Sequence, residues 1–139
     1  MQLTMEGISY RVGAAEYLYP LDLRLHSGAV TVLLGATQAG KTTLMRLMAG
    51  LDRPTAGRVM VDGTDVTGVP VRQRQVSMVY QQFINYPSMT VFDNIASPLK
   101  LRGGLDSAAV KAHVHALAGK LHIETHLDKL PAQLSGGQQ

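Results

Sequence analysis

Gly35-Ala36-Thr37-Gln38-Ala39-Gly40-Lys41-Thr42 fits the phosphate-loop pattern G-x-x-x-x-G-K-[ST]. Its surroundings decide the fold. Val30-Thr31-Val32-Leu33-Leu34 before it is a short β-branched apolar run suited to a buried parallel strand. After it, Leu44, Leu47, Met48 and Leu51 recur at helical spacing, with Gly50 near the expected helix end. Strand, glycine-framed loop and helix form the context that turns such a pattern into a nucleotide phosphate site. A polyphosphate needs many donors in little space. Backbone N–H groups of residues 38 to 43 at a helix start, with the helix dipole behind them, supply those donors. Gly35 and Gly40 allow close approach of the backbone. Lys41 supplies a mobile ammonium for the terminal phosphates, and the Thr42 hydroxyl is a candidate Mg²⁺ ligand.

Outward from the loop, Leu3 and Met5, then Ile8, Tyr10 and Val12, alternate with polar residues, which predicts a strand bent or bulged near Gly7. Leu21, Leu23 and Leu25 predict a second half-buried strand. Arg58-Val59-Met60-Val61 reads as a strand ended by the turn pair Asp62-Gly63. Val76-Ser77-Met78-Val79-Tyr80 reads as another. From Thr90 the pattern turns helical through Val91, Ile95 and Leu99, with Pro98 expected to distort it. Asp106 is positioned to cap a further helix with Val110, Val114, Leu117 and Leu121 on its apolar face.

The 139 residues, 45% hydrophobic and 17% charged, suffice for one α/β domain with its own core. No apolar run reaches the roughly eighteen residues a membrane span needs, and without a basic segment followed by an apolar stretch at the start a secretory leader is not expected. With 0 cysteines there is no disulfide or thiolate metal site. The net charge of +3 is scattered rather than striped, so a nucleic-acid groove is not expected. His122 and His126 lack an acid or cysteine at ligand spacing, and Met45, Met48, Met60 and Met78 read as core filler.

Two further stretches narrow the reading. Val79-Tyr80-Gln81-Gln82-Phe83-Ile84-Asn85-Tyr86-Pro87 follows a predicted strand, and Leu134-Ser135-Gly136-Gly137-Gln138-Gln139 ends the sequence. Together with the phosphate loop, in this order, they closely resemble the nucleotide-binding domain of ATP-binding cassette (ABC) transporters. The resemblance implies a P-loop NTPase core with an N-terminal antiparallel β-layer over about residues 1–87 and a helical subdomain over about 88–134. It implies that Gly35, Ala36, Thr37, Gln38, Ala39, Gly40, Lys41, Thr42 and Thr43 bind ATP, with Thr42 and Gln81 on Mg²⁺. Gln81 would sense the γ-phosphate and attacking water. Ser135, Gly136, Gly137 and Gln138 would bind the ATP held by the opposite protomer of a head-to-tail dimer. Gln82 to Met89 would receive the membrane subunit, placing the protein peripherally at the cytoplasmic face of the inner membrane. The wording of Tyr86 to Ala96 is similar to importers of sugars, polyols and related solutes, and Gln82 to Tyr86 together with Gly35 to Gly40 resembles glycerol-type importers.

Departures accompany the likeness. Gln38 stands where many relatives have glycine. Adenine stacking falls to Tyr10 or Tyr17, with a strand tyrosine simply packing in the β-layer as the equal alternative. No carboxylate among the 139 residues occupies the family's general-base context, so this stretch is expected to bind but not hydrolyse ATP, as part of a longer protein. Against the importer subunit stand a soluble ABC-type ATPase of translation or DNA repair, a kinase sharing only the phosphate loop, and a non-catalytic nucleotide-binding remnant. The tyrosine-proline segment argues against the soluble ATPase, and the glutamine segment and terminal signature argue against the kinase.

Overall fold

The computed structural model describes all of residues 1–139, in two compact units, Met1–Val79 and Tyr80–Gln139. The first unit is a four-stranded antiparallel sheet with one helix against it. Strands β1 (Leu3–Val12), β2 (Ala15–Leu25), β3 (Ala56–Val61) and the short β4 (Thr64–Asp65) lie in the order β2-β1-β3-β4. The β1–β2 register slips between Met5 and Ile8, at Gly7, as the broken alternation predicts. The bulge returns Ile8 to the face that carries Leu3 and Met5. Asp62-Gly63 closes β3 onto β4 with both residues left-handed, at φ 47° and 80°.

Helix α1 (Lys41–Ala49) covers the sheet. Leu44 and Leu47 bury themselves among Leu3, Met5, Ile8, Leu18 and Val59, with Met48 packed at the edge. Gly50 ends the helix in the left-handed region at φ 77°, its N–H returned to the last-turn carbonyls. Leu51, expected on the apolar stripe, lies beyond this cap and is exposed.

A residue without a sequence signal locks this corner. Arg74 is buried with no carboxylate beside it. Its guanidinium donates to the carbonyls of Met48 at 3.2 Å, Val69 at 3.1 Å, Thr67 at 3.3 Å and Val66. The Met48 carbonyl belongs to the last turn of α1, where helix geometry leaves acceptors unpaired and the dipole favours a cation. A Cβ at position 50 would run into this guanidinium, so glycine there serves both the cap and the arginine.

Two expected strands are absent. Val30–Leu34 and Val76–Tyr80 run without strand structure, and Val30 and Val79 are each 95% exposed. A parallel strand exists only by bonding to neighbours, and neither run is hydrogen-bonded into the four-stranded sheet. Apolar β-branched composition marks what these segments would bury, not what is present to bury it.

The second unit holds α2 (Val91–Arg102) and α3 (Ser107–Leu121) around Val91, Ala96, Val110, Val114, Ala118 and Leu127. Thr90 caps α2 by accepting from the Asp93 N–H, and Asp106 caps α3 by accepting from the Ala109 N–H at 2.7 Å. Pro98 stays inside α2. It removes the bond that the Asn94 carbonyl would receive, and the Ser97 hydroxyl donates to that carbonyl instead, at 3.1 Å. On α3 the buried stripe continues through Ala118, while Leu117 and Leu121 stay largely exposed, a correction to the expected face.

Arg46 donates from Nε and Nη2 to both carboxylate oxygens of Asp52, at 2.7 and 2.8 Å. That hydrogen bonding, with the guanidinium charge adding and burial opposing, holds the Asp52 carboxyl below the usual 3.8. As pH falls, the unfolded chain therefore takes up the Asp52 proton before the folded one does. The stabilisation is present in full above the unfolded value and is lost as pH drops through the folded one. A partly exposed pair of this kind contributes about 0.5–1 kcal/mol. Urea unfolding as a function of pH is expected to show Asp52→Asn destabilised by about that amount at neutral pH. Its loss of stability on acidification should be shallower than wild type. Parallel curves would show that the pair contributes nothing.

Candidate functional site

The stretch Gly35–Thr42 leads directly into α1, and sequence dictates its shape at two points. Gly40 is the helix N-cap in the left-handed region at φ 83°, and a Cβ there would lie 2.9 Å from the Tyr17 carbonyl oxygen on β2. Only glycine meets both demands. Gln38 is also left-handed, at φ 67°, although it carries a side chain. That conformation costs a non-glycine residue roughly 1 kcal/mol or more. Between them the Ala39 N–H donates to the Ala36 carbonyl at 3.2 Å, closing a turn.

The helix start is left open to an anion. No side chain caps it, and no acidic residue sits in its first turn. The first helix bond runs from the Leu44 N–H to the Gly40 carbonyl at 2.8 Å, and the amides before it have no intrahelical acceptor by geometry. The Lys41 ammonium folds back over the loop and donates to the carbonyls of Gly35 at 2.8 Å and Ala36 at 2.6 Å. It is thereby held at the mouth of the cradle. Gly35 to Ala39, Thr42 and their loop are exposed, so a ligand reaches donors, ammonium and hydroxyl without rearranging the core. These features match what a polyphosphate requires: uncapped amides, a positive dipole end and a positioned cation.

Tyr10 and Tyr17 sit on the β1–β2 hairpin with ring centroids 6.3 Å apart and tilted by 59°. The Tyr17 main chain abuts Gly40, and its ring is exposed. The aromatic pair thus belongs to the same hairpin that backs the cradle, and Tyr17 is its more accessible member. Val12 on the same strand is exposed as well.

Gln81 lies in the second unit, exposed and outside any helix or strand. After it, Phe83, Ile84 and Tyr86 are 60%, 73% and 54% exposed, an apolar run turned to solvent. Ser135 to Gln138 are also exposed. The N–H groups of Gln138 and Gln139 donate to the Ser135 carbonyl at 2.9 and 3.2 Å, and the Gln138 side-chain oxygen accepts from the Ser135 N–H at 3.0 Å. This is one half of a capping box, so Ser135 stands as the first residue of a helical turn with Gly136 and Gly137 in it. The Gln138 amide group meets His126 Nε2 at 3.0 Å, while His126 Nδ1 is buried without a partner. Because the Gln138 oxygen is engaged, its NH₂ faces the ring, which makes His126 Nε2 the acceptor. The sequence draws attention to His126 only through its four-residue spacing from His122, and that spacing carries no signal of the contact with Gln138.

The family model for the ABC transporter matches residues 18–139. Over 142 residues the chain is 41% identical to a sulfate/thiosulfate import ATP-binding protein CysA of Bordetella bronchiseptica, covering 100% of this chain and 40% of that protein. It is also 41% identical to a methionine import ATP-binding protein MetN 2 of Pseudomonas aeruginosa, over 94% of this chain and 41% of that one. The chain thus spans about 40% of the length of these curated relatives. A dimeric ATP-binding cassette, solved in a post-hydrolysis state with ADP and Pi, superposes with a TM-score of 0.85 at 24% identity. That match covers 98% of this chain and 64% of the other, and it fixes the fold as the P-loop NTPase of that class, antiparallel β-layer and helices included.

Gly40→Ala is expected to lower stability by about 1–3 kcal/mol in urea titration, through the strained left-handed backbone and the clash with Tyr17. Gln38→Gly is expected to be neutral or stabilising by up to about 1 kcal/mol, the relief of the same strain at an open position. The opposite order of the two variants would contradict this description of the loop.

Proposed function

The chain belongs to the ABC transporter family, and on that premise we propose that it is part of an ATP-binding subunit that powers solute import through separate membrane subunits. The observation that carries this reading is the Lys41 ammonium, fixed by two loop carbonyls above an uncapped helix start. Residues 35 to 43 bind the phosphates of ATP: main-chain amides of 38 to 43 take the oxygens, and the ammonium shifts from carbonyl to phosphate. The adenine stacks on the Tyr10–Tyr17 pair. Mg²⁺, when bound, neutralises phosphate charge, and within the phosphate loop Thr42 is the residue that would hold it, its hydroxyl oxygen being a hard ligand.

Ser135 to Gln138 form a single exposed turn, which we assign to the ATP of a facing protomer in a head-to-tail dimer. Gln82 to Met89, rich in exposed apolar side chains, docks the membrane subunit and places the protein peripherally at the inner face of the membrane. No helix is long and apolar enough to cross a membrane. We assign about residues 1–87 to the β-layer and P-loop core and about 88–134 to the helical subdomain.

The cargo reading shifts. Relatives named for sulfate/thiosulfate and methionine import support an importer, and they favour an oxyanion or amino-acid cargo over the sugar or polyol suggested by Tyr86 to Ala96 and the glycerol-type solute suggested by Gln82 to Tyr86 with Gly35 to Gly40. The segment wording carries little weight because an ATPase subunit does not touch the solute.

Titration of a fluorescent ATP analogue into the full-length protein tests the site. Lys41→Ala is expected to weaken binding by about 100-fold, the equivalent of two charge-assisted hydrogen bonds at roughly 1.5 kcal/mol each. Ser135→Arg should bind ATP as wild type does but fail to form the ATP-dependent dimer on a sizing column. Unchanged affinity in Lys41→Ala, or equal loss of binding and dimer in Ser135→Arg, would contradict the assignment.

A further inference from the structure

One side chain, Asn94, shapes the segment that follows Gln81. Its Oδ1 accepts from the Tyr86 N–H at 2.7 Å. Its Nδ2 lies 3.1 Å from the Tyr86 carbonyl, 3.1 Å from that of Met89 and 3.0 Å from that of Thr90, three acceptors shared by two hydrogens. The loop between Tyr86 and Thr90 is otherwise closed by one main-chain bond, from the Met89 N–H to the Tyr86 carbonyl at 3.1 Å. Asn94 points into this loop and is absent from the apolar core of its unit, which is built from Val91, Ala96, Val110, Val114, Ala118 and Leu127.

The residue is also held from behind. It lies in the first turn of α2, where the Val91 and Phe92 N–H groups donate to the carbonyls of Lys129 at 2.8 Å and Leu127 at 2.9 Å. Those carbonyls precede the Ser135 turn by a few residues, so the helix start that carries Asn94 is tied to both segments. Its own carbonyl, deprived of a helix bond by Pro98, is satisfied by Ser97. A buried or half-buried carboxamide that satisfies every polar atom in this manner fixes a single loop shape rather than an ensemble.

We propose that Asn94 is a positioning residue for docking of the membrane subunit: it holds Tyr86 to Thr90, the second half of the docking segment, in one conformation and so fixes where the exposed Tyr86 is presented. The inference rests on the reading of Gln82 to Met89 as the docking segment. Without the clasp, those residues must be ordered at the moment of binding, and affinity falls accordingly. Every hydrogen bond that Asn94 makes lies within residues 86–97, so its replacement leaves the Lys41 ammonium and the loop amides as they are, and nucleotide affinity is expected to hold.

The test uses the full-length protein titrated onto vesicles that contain its permease subunits, with ATP affinity and thermal melting measured in parallel. Asn94→Ala is expected to weaken permease binding by about tenfold, the affinity equivalent of ordering one released residue, with the ATP dissociation constant within about twofold of wild type. Asn94→Asp keeps the acceptor for the Tyr86 N–H and loses the donors, so it should fall between the two. Ile84→Ala, which removes a contact rather than the clasp, should also weaken permease binding. Wild-type binding by both Asn94 variants, alongside a weakened Ile84→Ala, would overturn the positioning role and leave the docking segment standing. Wild-type binding by all three would remove the docking reading and this inference with it. Parallel loss of ATP affinity, permease affinity and melting temperature in Asn94→Ala would make the residue a general structural one and also overturn the proposal.

Discussion

The contact between Gly40 and the Tyr17 carbonyl is the constraint from which the first unit is organised. Backbone meets backbone there, with no room for a Cβ, so α1 begins against β2 and nowhere else. That fixed start sends Leu44 and Leu47 into the sheet core and leaves the first amides of the helix facing outward. One helix thus serves two ends: its side chains stabilise the fold and its N-terminal dipole forms the cradle. Arg74 secures the other end of the same helix through the Met48 carbonyl, so the cradle rests on an element held at both termini.

Strain and pairing in the loop follow the same logic. Gln38 adopts a backbone conformation that glycine would adopt more cheaply, and Lys41 is bonded to its own loop rather than extended into solvent. Both place donors where an anion would need them, before any anion arrives. A pre-ordered site loses less entropy on binding than one assembled by the ligand. In the second unit Asn94 does for the Tyr86 to Thr90 loop what Lys41 does for the Gly35 to Thr42 loop, fixing main-chain carbonyls with a single side chain.

How much of this was legible in the sequence depends on whether the signal was local. The bulge at Gly7, the Asp62-Gly63 turn, the Gly50 cap and the Thr90 and Asp106 caps all rest on residues within a few positions of each other, and each is where the sequence places it. Val30 to Leu34 and Val76 to Tyr80 misled because a strand is a relation between segments, and periodicity describes only one of them. Leu117 and Leu121 fit a helical stripe, yet the narrow contact between α2 and α3 is filled by Ala118 instead. Arg74 and Asn94 left no pattern at all, and His126 stood out only for its spacing from His122, which does not point to its partner. Each acts through main-chain or side-chain partners between 4 and 26 positions away, and a single polar residue among apolar ones does not announce which carbonyls it will meet.

The most direct test of the account is the amide spectrum of ¹⁵N-labelled protein during titration with a non-hydrolysable ATP analogue and Mg²⁺. The account predicts that the largest shifts fall on the amides of residues 38 to 43, with the Gly35 and Ala36 signals moving as the Lys41 ammonium leaves their carbonyls. Shifts spread evenly over the chain, or centred elsewhere with residues 38 to 43 unmoved, would contradict it.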